Sequence, residues 1–357
     1  MGHPVEGKRF EVTRVIDFTA RAFLACGATE DAARKTARHL IGADLRGVDT
    51  HGIVRLPLYV SRVQKGLMDA RSAPELIRES ATTAVFDGRN ALGQYVAHEA
   101  MQRAIDKARD HDLGVVTVRH SNHYGAAAEY ALMAAEAGMI GMTTTNTAPL
   151  MPPKGGAARR VGNNPLSIGV PSRLKAPLTL DIALSVVAAW NLMLAHGRGE
   201  KIPLGWALDS EGNPTDDPYQ GFVGGGTLLP IAGHKGFGLA LMMDVLSGVL
   251  SGGQFANQTR GLKSEEPVGV SHFMLAINVE AFMPLAEFHE RIDELVRLMK
   301  SAPRRDGVSE LMVPGEPEHR KMVQRQAEGI LIEDRVIREL DAMADSLEIE
   351  RLGVESP

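Results

Sequence analysis

The composition is that of a globular protein with a substantial core. The chain has 357 residues, 44% apolar and 23% charged, which is enough for one large domain or two ordinary ones. Its 39 basic and 44 acidic residues leave a net charge of −5, which argues against a nucleic-acid-binding protein with its usual basic surface. A single cysteine, a polar start without a signal pattern and the lack of any apolar run that could span a bilayer predict a cytoplasmic protein with no membrane partner.

The first seventy residues are predicted to be helical. An apolar face that includes Phe18 and Phe23 ends at Gly27, because glycine commonly stops a helix. Thr29 suits the N-cap of a second helix, which runs to about Leu45, since its hydroxyl can accept a hydrogen bond from the first turn.

An unusually polar segment, 44–52, separates this helix from a third one that begins near Val54. Arg55 and Tyr59 are four residues apart and therefore share a helix face, and His51 leads into that face. A cation, a phenol and an imidazole that converge at one helix start would suit a small carboxylate substrate.

The central stretch, 119–165, combines strands with polar turns. An apolar, β-branched run at 113–118 predicts a buried strand, and a second strand is predicted at 139–144 after an alanine-rich helix. His123 follows the first strand, and Asn146–Thr147 follow the second. We therefore expect these residues at loop tips held by a rigid scaffold, where ligand chemistry tends to occur.

A domain boundary is predicted at 68–73, where the pattern changes from helical to strand-like. Further strands are predicted at 166–170 and 178–182. Asp181 lies near the end of the second of these, just before a helix predicted at 183–195. This strand-to-helix junction is a further candidate position for a functional carboxylate.

A glycine-rich segment places His234 and Lys235 at the start of another helix. Backbone N–H groups, the positive end of the helix dipole and an ammonium together favour phosphate, although a solvated surface lysine is the ordinary alternative. Helices are also predicted at 286–300, 316–328 and 334–346. The helix that begins at His234 and Lys235 has an apolar stripe at helical spacing, which we interpret as ordinary core. The stripe consists of Leu239, Met242, Met243, Leu246, Val249 and Leu250.

The local evidence leaves alternatives open for the histidines. His123 suits a proton acceptor because imidazole titrates near neutrality, but it would equally suit a residue that pins the turn. A metal site at His120 and His123 is not expected, because no carboxylate adjoins them and only one cysteine exists. Thr50, His51 and Asp181 offer a hydroxyl–imidazole–carboxylate relay, yet His51 and Asp181 could simply cap helices.

No conventional dinucleotide fingerprint or P-loop is present, so a nucleotide would need a different fold. Seven motifs in order nevertheless resemble the malate/L-lactate dehydrogenase family that does not use the Rossmann fold. The motifs span nearly the whole chain: DLRGVDTHG at 44–52, SNHYG at 121–125, NTAPL at 146–150, GNNP at 162–165, DIA at 181–183, GHKG at 233–236 and VPGE at 313–316.

The resemblance implies an oxidoreductase that transfers a hydride between NAD or NADP, with NAD favoured, and a small malate- or lactate-like 2-hydroxy or 2-keto acid. It also implies a homodimer with the site near the subunit interface. The implied fold is mixed α/β without a Rossmann fingerprint. A sheet-centred cofactor domain would occupy 73–284, and a largely helical domain would combine 1–72 with 285–357.

The resemblance further implies roles for individual residues. Arg55 and Tyr59 would hold the substrate carboxylate. The catalytic residues would be His123, His51, Thr50 and Asp181, with His123 as proton acceptor and Asp181 as proton donor. The cofactor would be lined by His123, Tyr124, Gly125, Asn146, Thr147, Asn164, Asp181, Ile182, Ala183, His234, Lys235, Gly315 and Glu316.

Three positions depart from the usual family pattern. Thr50 replaces a serine, Asn163 a threonine and Tyr124 a phenylalanine, which leaves the class intact and the substrate and cofactor subtype open. One alternative is an NADPH-dependent reductase of cyclic imino acids of the piperideine-2-carboxylate type. The other is a metabolite-binding protein without redox turnover.

Overall fold

The structure, a computed structural model, describes residues 6–174 and 176–353. Within these ranges the helices are α1 (Val12–Ala25), α2 (Glu30–Leu45), α3 (Leu56–Gln64), α4 (Gly93–His111), α5 (Ala128–Glu136), α6 (Ala189–Gly197), α7 (His234–Asp244), α8 (Leu285–Lys300), α9 (Glu316–Glu328) and α10 (Asp334–Ser346). The strands are β1 (Gly7–Phe10), β2 (Glu75–Glu79), β3 (Thr83–Asp87), β4 (Leu113–Ser121), β5 (Met139–Thr145), β6 (Leu166–Val170), β7 (Leu178–Ile182), β8 (Ala207–Leu208), β9 (Pro214–Thr215), β10 (Thr227–Leu228), β11 (Val270–Asn278) and β12 (Ile330–Glu333).

A seven-stranded sheet forms the centre of the molecule, in the order β2-β3-β4-β11-β5-β6-β7. The β3–β4 pair is parallel and the other neighbouring pairs are antiparallel. This mixed order differs from the parallel sheet of a Rossmann fold. The predicted fold class, mixed α/β with a central mixed sheet and a largely helical part, is therefore confirmed.

Small residues allow helices to pack closely on the sheet. A Cβ atom at Gly114 of β4 would clash with the carbonyl oxygen of Ala104 in α4, and one at Gly141 of β5 with that of Ala131 in α5. Alanines also line the buried side of α4. The alanine-rich character of these helices thus positions α4 and α5 tightly against the sheet.

The two ends of the chain meet in a helical region. β1 pairs antiparallel with β12, and α1, α2, α3 and α10 share one buried core that includes Phe18, Leu40 and Leu340. Thr29 caps α2 as expected, because its hydroxyl accepts a hydrogen bond from the N–H of Ala32 at 3.2 Å. The domain boundaries at residues 72 and 285 stay a prediction.

The helix predicted at 183–195 begins later than expected. The structure has α6 at Ala189–Gly197, because the preceding residues are extended and bonded to a distant segment. Leu184 donates to the carbonyl oxygen of Asn163 and accepts from Ile231, and Val186 donates to Leu229. These long-range hydrogen bonds override the local helical preference.

The expectation that the apolar stripe of α7 is ordinary core is wrong for most of its members. Met243 is buried, but Leu239 is 44% exposed, Met242 50% and Leu250 57%. The helix instead buries its small face, including Gly236 and Ala240, against the rest of the chain. An extended apolar surface is left on α7 and the turn that follows it.

Among the described residues, no helix is both long and apolar enough to cross a membrane.

Candidate active site

His123 lies in the loop after β4, and neighbouring backbone fixes that loop. The buried amide of Asn122 donates to the carbonyl oxygens of Asn90 and Ala91, each at 2.9 Å. Gly93, the first residue of α4, lies directly against the loop, since a Cβ atom there would clash with the carbonyl oxygens of Asn122 and His123. The position of His123 therefore depends on the packing of α4.

The His123 ring is hydrogen-bonded on one side and open on the other. Its Nδ1 lies 2.6 Å from the Tyr59 hydroxyl and accepts from the N–H of Gly125 at 3.3 Å. Because that N–H can only donate, the neutral ring carries its proton on Nε2. Nε2 has no hydrogen-bond partner among the described residues and is not sealed from solvent. Burial, and then the neighbouring His51 and Arg55, lower the pKa of His123 well below its usual value.

His51 lies beside His123, with ring centroids 5.3 Å apart and planes inclined by 26°. The Thr50 hydroxyl is 2.8 Å from Nδ1 of His51, so the first two members of the predicted relay are joined. Burial, and then the charge of Arg55, lower the pKa of His51 to about 4. Both imidazoles are therefore neutral at pH 7.

Arg55, which directly precedes α3, and Tyr59, in its first turn, face this histidine pair. Nε of Arg55 donates to the carbonyl oxygen of Thr50 at 2.6 Å, and its two terminal nitrogens have no partner among the described residues. Tyr59 is 1% exposed, and burial raises its pKa to about 12. The structure thus brings together all four residues predicted from the segment 50–59 and adds His123 to them.

Asp44 supports the short turn that carries these residues, a role that the sequence analysis missed. Its buried carboxyl group accepts a hydrogen bond from the N–H of Ile53 at 2.7 Å. Gly52 provides the necessary space, because a Cβ atom there would clash with the Asp44 carboxyl group. Burial raises the pKa of Asp44 to about 8. The available signal was Asp44 itself, an acidic residue that begins the polar motif at 44–52.

Asp181 lies in β7 and contacts α5 instead of the histidines. Its carboxylate accepts a hydrogen bond from the N–H of Ala128 at 3.1 Å. Its side chain is exposed to solvent on one side, so its burial is partial. This partial desolvation raises the pKa of Asp181 to about 6, against the effects of the Ala128 N–H and the Arg46 charge. Within the described residues, no hydrogen bond joins Asp181 to His51 or His123, so the third member of the predicted relay is separate.

Two predicted cofactor residues, Asn146 and Asn164, have their side chains occupied inside the protein. The Asn146 amide donates to Asp244 (3.1 Å) and to the carbonyl oxygen of Gln254 (2.7 Å). Asn164 accepts from the N–H of Thr147 at 2.9 Å and donates to the carbonyl oxygen of Ala240. Both asparagines therefore shape the loop, whereas Thr147 remains partly exposed.

Tyr124 is a buried core residue, and Gly125 has the positive φ of 83° that turns the loop into α5. The Tyr124 ring stacks on His272 with centroids 4.7 Å apart. His272, a second residue that the sequence analysis missed, bonds to Thr145 and Ser121, each at 2.8 Å. It thereby joins the ends of β5 and β4. A histidine inside an otherwise apolar strand was the signal.

The remaining predicted cofactor residues lie on three separate segments. His234 and Lys235 are exposed at the start of α7, next to Gly233 with φ of 60°. Ile182 and Ala183 are half-buried after Asp181. Gly315 and Glu316 begin α9.

The turn at Gly315 is docked against β7. A Cβ atom at Gly315 would clash with the carbonyl oxygen of Pro177, and its φ is 94°. Glu316 accepts from Lys300 at 2.5 Å and from the N–H of Val313 at 3.1 Å, and these partners lower the pKa of its carboxyl group against the effect of burial. Glu316 therefore holds the turn in place.

Comparisons with known proteins agree with this arrangement. The family model described as malate/L-lactate dehydrogenase matches residues 10–341. A malate dehydrogenase of Pyrococcus abyssi is 40% identical over 97% of both chains, and a malate/(S)-sulfolactate dehydrogenase of Methanothermus fervidus is 35% identical over 91% of this chain and 94% of that protein. The solved malate dehydrogenase structure from Pyrococcus horikoshii superposes with a TM-score of 0.89 at 37% identity, covering 98% of this chain and 99% of that one.

These matches extend over almost the whole chain and include the segments that bear His51, Arg55 and His123. The predicted family and reaction class are thereby confirmed, and membership implies a nicotinamide cofactor. The chain belongs to the malate/L-lactate dehydrogenase family and is an oxidoreductase that acts on 2-hydroxy acids.

Proposed function

We propose that the His51–His123 pair is the reaction centre, where a small malate- or lactate-like 2-hydroxy acid is oxidised and the matching 2-keto acid reduced. The observation that carries the proposal is the open end of Arg55 beside two neutral imidazoles. A guanidinium with two unpaired terminal nitrogens can bind a carboxylate through paired, charge-assisted hydrogen bonds. Such a clamp fixes the adjacent carbon, which orients it for reaction.

His123 exchanges a proton with the substrate oxygen at Nε2, its open nitrogen. In oxidation the ring reacts as the tautomer with its proton on Nδ1, which it donates to the Tyr59 hydroxyl, so that Nε2 can accept the substrate proton; in reduction the protonated ring gives its Nε2 proton to the keto oxygen. The Tyr59 hydroxyl both donates and accepts, so it keeps Nδ1 hydrogen-bonded whether His123 is neutral or protonated. His51 with Thr50 forms the adjacent imidazole–hydroxyl pair. Its Nε2 is also without a partner among the described residues, which makes it the second group that can hold a proton near the substrate.

The cofactor that we propose is a nicotinamide dinucleotide, which supplies or accepts the hydride when bound. The chain fits this group at the start of α7, where the exposed side chains of Lys235 and His234 make no ion pair or hydrogen bond with any described residue. The helix start and the ammonium would hold phosphate oxygens. Thr147 and Asp181, which remain partly accessible to solvent, would line the same groove.

A substrate and cofactor panel tests the proposal. Initial rates are measured with oxaloacetate, pyruvate and piperideine-2-carboxylate, each with NADH and with NADPH. We expect turnover of a 2-keto acid and a higher rate than for the cyclic imine. Preferential reduction of the imine would instead establish the imino-acid reductase alternative, and cofactor binding without any turnover would establish the metabolite-binding alternative.

We also propose that two copies of the chain form a homodimer through the exposed face of α7 and its following turn. Support comes from the apolar side chains concentrated there; Leu239, Met242, Val245, Val249 and Leu250 are each 39% to 57% exposed. Apolar patches of this kind commonly mark protein interfaces.

The dimer is tested by sedimentation velocity with Met242→Glu. We expect a dimeric wild-type protein and a monomeric variant, because a buried, unpaired carboxylate opposes association. Leu298→Glu on α8, where the leucine is 62% exposed, is the matched control and should remain dimeric. A monomeric wild-type protein, or dissociation by both variants, would contradict the assignment.

A further inference from the structure

A cleft of about 1020 Å³ opens between α2, α5, α9 and the segment after β6. This volume is large enough for a small-molecule ligand. Arg46, Glu129, Pro177 and His319 contribute to its wall, whereas the two active-site imidazoles do not. The cleft is therefore a second region, separate from the site where a proton would be exchanged.

A buried ion pair in the cleft wall is incompletely satisfied. The Arg46 and Glu129 side chains are only 5% and 14% exposed, and Nε of Arg46 lies 3.7 Å from Oε1 of Glu129. This separation exceeds a hydrogen bond, and both atoms are buried without any hydrogen-bond partner. Such a pair is costly in the absence of further hydrogen bonds, so a bound ligand would supply what the protein lacks.

The outer atoms of the pair are available from the cleft. Oε2 of Glu129 and the terminal nitrogens of Arg46 have no hydrogen-bond partner among the described residues, and these atoms remain accessible to solvent. Gly42 of α2 leaves room for the carboxylate, because a Cβ atom there would clash with Oε2. A donor next to an acceptor matches vicinal hydroxyls, which accept from a guanidinium and donate to a carboxylate. A phosphate monoester offers acceptors only and is repelled by the carboxylate.

Asp181 connects this pair to the reaction centre. It accepts a hydrogen bond from Ala128, the neighbour of Glu129. Arg46 belongs to the same segment, 44–52, as His51, and Gly125 in the His123 loop lies close to the carbonyl oxygen of His51. Both members of the pair therefore adjoin the segments that carry the imidazoles, and a ligand that begins at the imidazoles can extend to the cleft.

We propose that Arg46 and Glu129 bind the 2′- and 3′-hydroxyls of the adenosine ribose of the cofactor, and that Glu129 thereby selects NAD over NADP. The inference rests on the proposed dinucleotide function and extends it to a residue pair outside the motif assignments. A ribose hydroxyl gains a hydrogen bond to the carboxylate, whereas a 2′-phosphate loses that bond and meets a like charge.

The test is a fluorescence titration of wild-type protein and Glu129→Gln with NADH and with NADPH at about pH 8.5, because burial raises the pKa of Glu129 to about 7 and the carboxyl group must be ionised. We expect the wild type to bind NADH at least about tenfold more tightly, and Glu129→Gln to reduce that ratio about tenfold, since a charge-assisted hydrogen bond is lost and a repulsion removed. Displacement of NADH by ADP-ribose and by 2′-phospho-ADP-ribose should show the same change without the nicotinamide.

Glu136→Gln is the matched control, because Glu136 lines the same cleft from the same helix and should leave the ratio unchanged. If Glu129→Gln alone does not fold, the double variant Arg46→Gln with Glu129→Gln leaves no unpaired buried charge and gives the same comparison. Tighter wild-type binding of NADPH, or a ratio that Glu129→Gln leaves within about twofold, would overturn the ribose assignment while the dinucleotide function stands. Failure of the wild type to bind either cofactor would overturn both.

Discussion

Removal of one hydroxyl, in Tyr59→Phe, isolates the hydrogen bond that orients His123. The bond is short, at 2.6 Å, and Tyr59 is only 1% exposed, so no water replaces the lost partner without a rearrangement. A neutral buried hydrogen bond contributes about 0.5–1.5 kcal/mol net. Because the N–H of Gly125 still binds Nδ1 at 3.3 Å, the orientation of the ring is retained and the loss stays partial. We expect kcat to fall about 2- to 12-fold, where tenfold corresponds to about 1.4 kcal/mol.

The assay is steady-state reduction of the preferred 2-keto acid at saturating cofactor, with the thermal midpoint measured in parallel. KM should change little, since the carboxylate clamp of Arg55 is intact. Tyr95→Phe is the control, because Tyr95 is half-buried in α4 and its hydroxyl makes no hydrogen bond with any described residue. A Tyr59→Phe enzyme with wild-type kcat, or one whose only change is a raised KM, would refute the orienting role and return Tyr59 to carboxylate binding.

Four other substitutions test the neighbouring assignments. Arg55→Lys should raise KM with a smaller change in kcat, since lysine lacks the planar fork; an unchanged KM would remove Arg55 from the substrate site. His123→Ala and His51→Ala should each lower kcat about 10²–10⁴-fold with the fold intact by circular dichroism, and near-wild-type rates in both would exclude the mechanism. In the folded protein Asp44 stays protonated up to about pH 8, whereas in the unfolded chain it loses its proton above about pH 4. The free energy of unfolding therefore falls as the pH rises towards 8. Urea midpoints at pH 5 and 7.5 should show a smaller fall in Asp44→Asn.

Local sequence pattern was sufficient to predict those strands and helix caps that form without regard to which distant segment they contact. The strands at β4, β5 and β7 follow from β-branched apolar runs bounded by turns, and the Thr29 cap follows from side-chain chemistry. The polar segment 44–52 and His123 were identified because unusual residue types occurred where loops were expected. The two regions are joined by the 2.6 Å hydrogen bond between Tyr59 and His123, which lie 64 residues apart in the sequence. No local pattern indicates this contact.

Long-range contacts decided the positions that were mispredicted. Residues 184–186 are extended because they bond to 163 and 229–231, and no pattern within the segment indicates those partners. The apolar face of α7 has helical spacing whether it meets the chain's own core or another subunit. The sequence therefore predicted correctly that this apolar face of α7 is helical, and wrongly that it is buried in the core of the chain. The amides of Asn146 and Asn164 are hydrogen-bonded to buried partners that no local pattern indicates, and their place at the cofactor stays a prediction.

Arg55 has two effects on the site, and they predict a pH dependence that changes when substrate binds. In the free protein its charge helps to lower the pKa of His51 and of His123. A bound carboxylate compensates that charge, so the pKa of each imidazole rises. Further desolvation by the substrate acts in the opposite direction, but both rings are already surrounded by protein, and the change in charge is the larger effect.

Oxidation of a 2-hydroxy acid requires a neutral imidazole, so the rate falls as pH drops through its pKa. The acidic limb of kcat/KM reports the free protein and that of kcat the complex. We therefore expect the kcat limb at a higher pH than the kcat/KM limb, from profiles recorded between about pH 3 and 8. Coincident limbs would mean that Arg55 does not hold the carboxylate beside the histidines, and a reversed order would mean that desolvation outweighs the charge. In Arg55→Lys the separation should persist, because the charge is kept while the fork is lost.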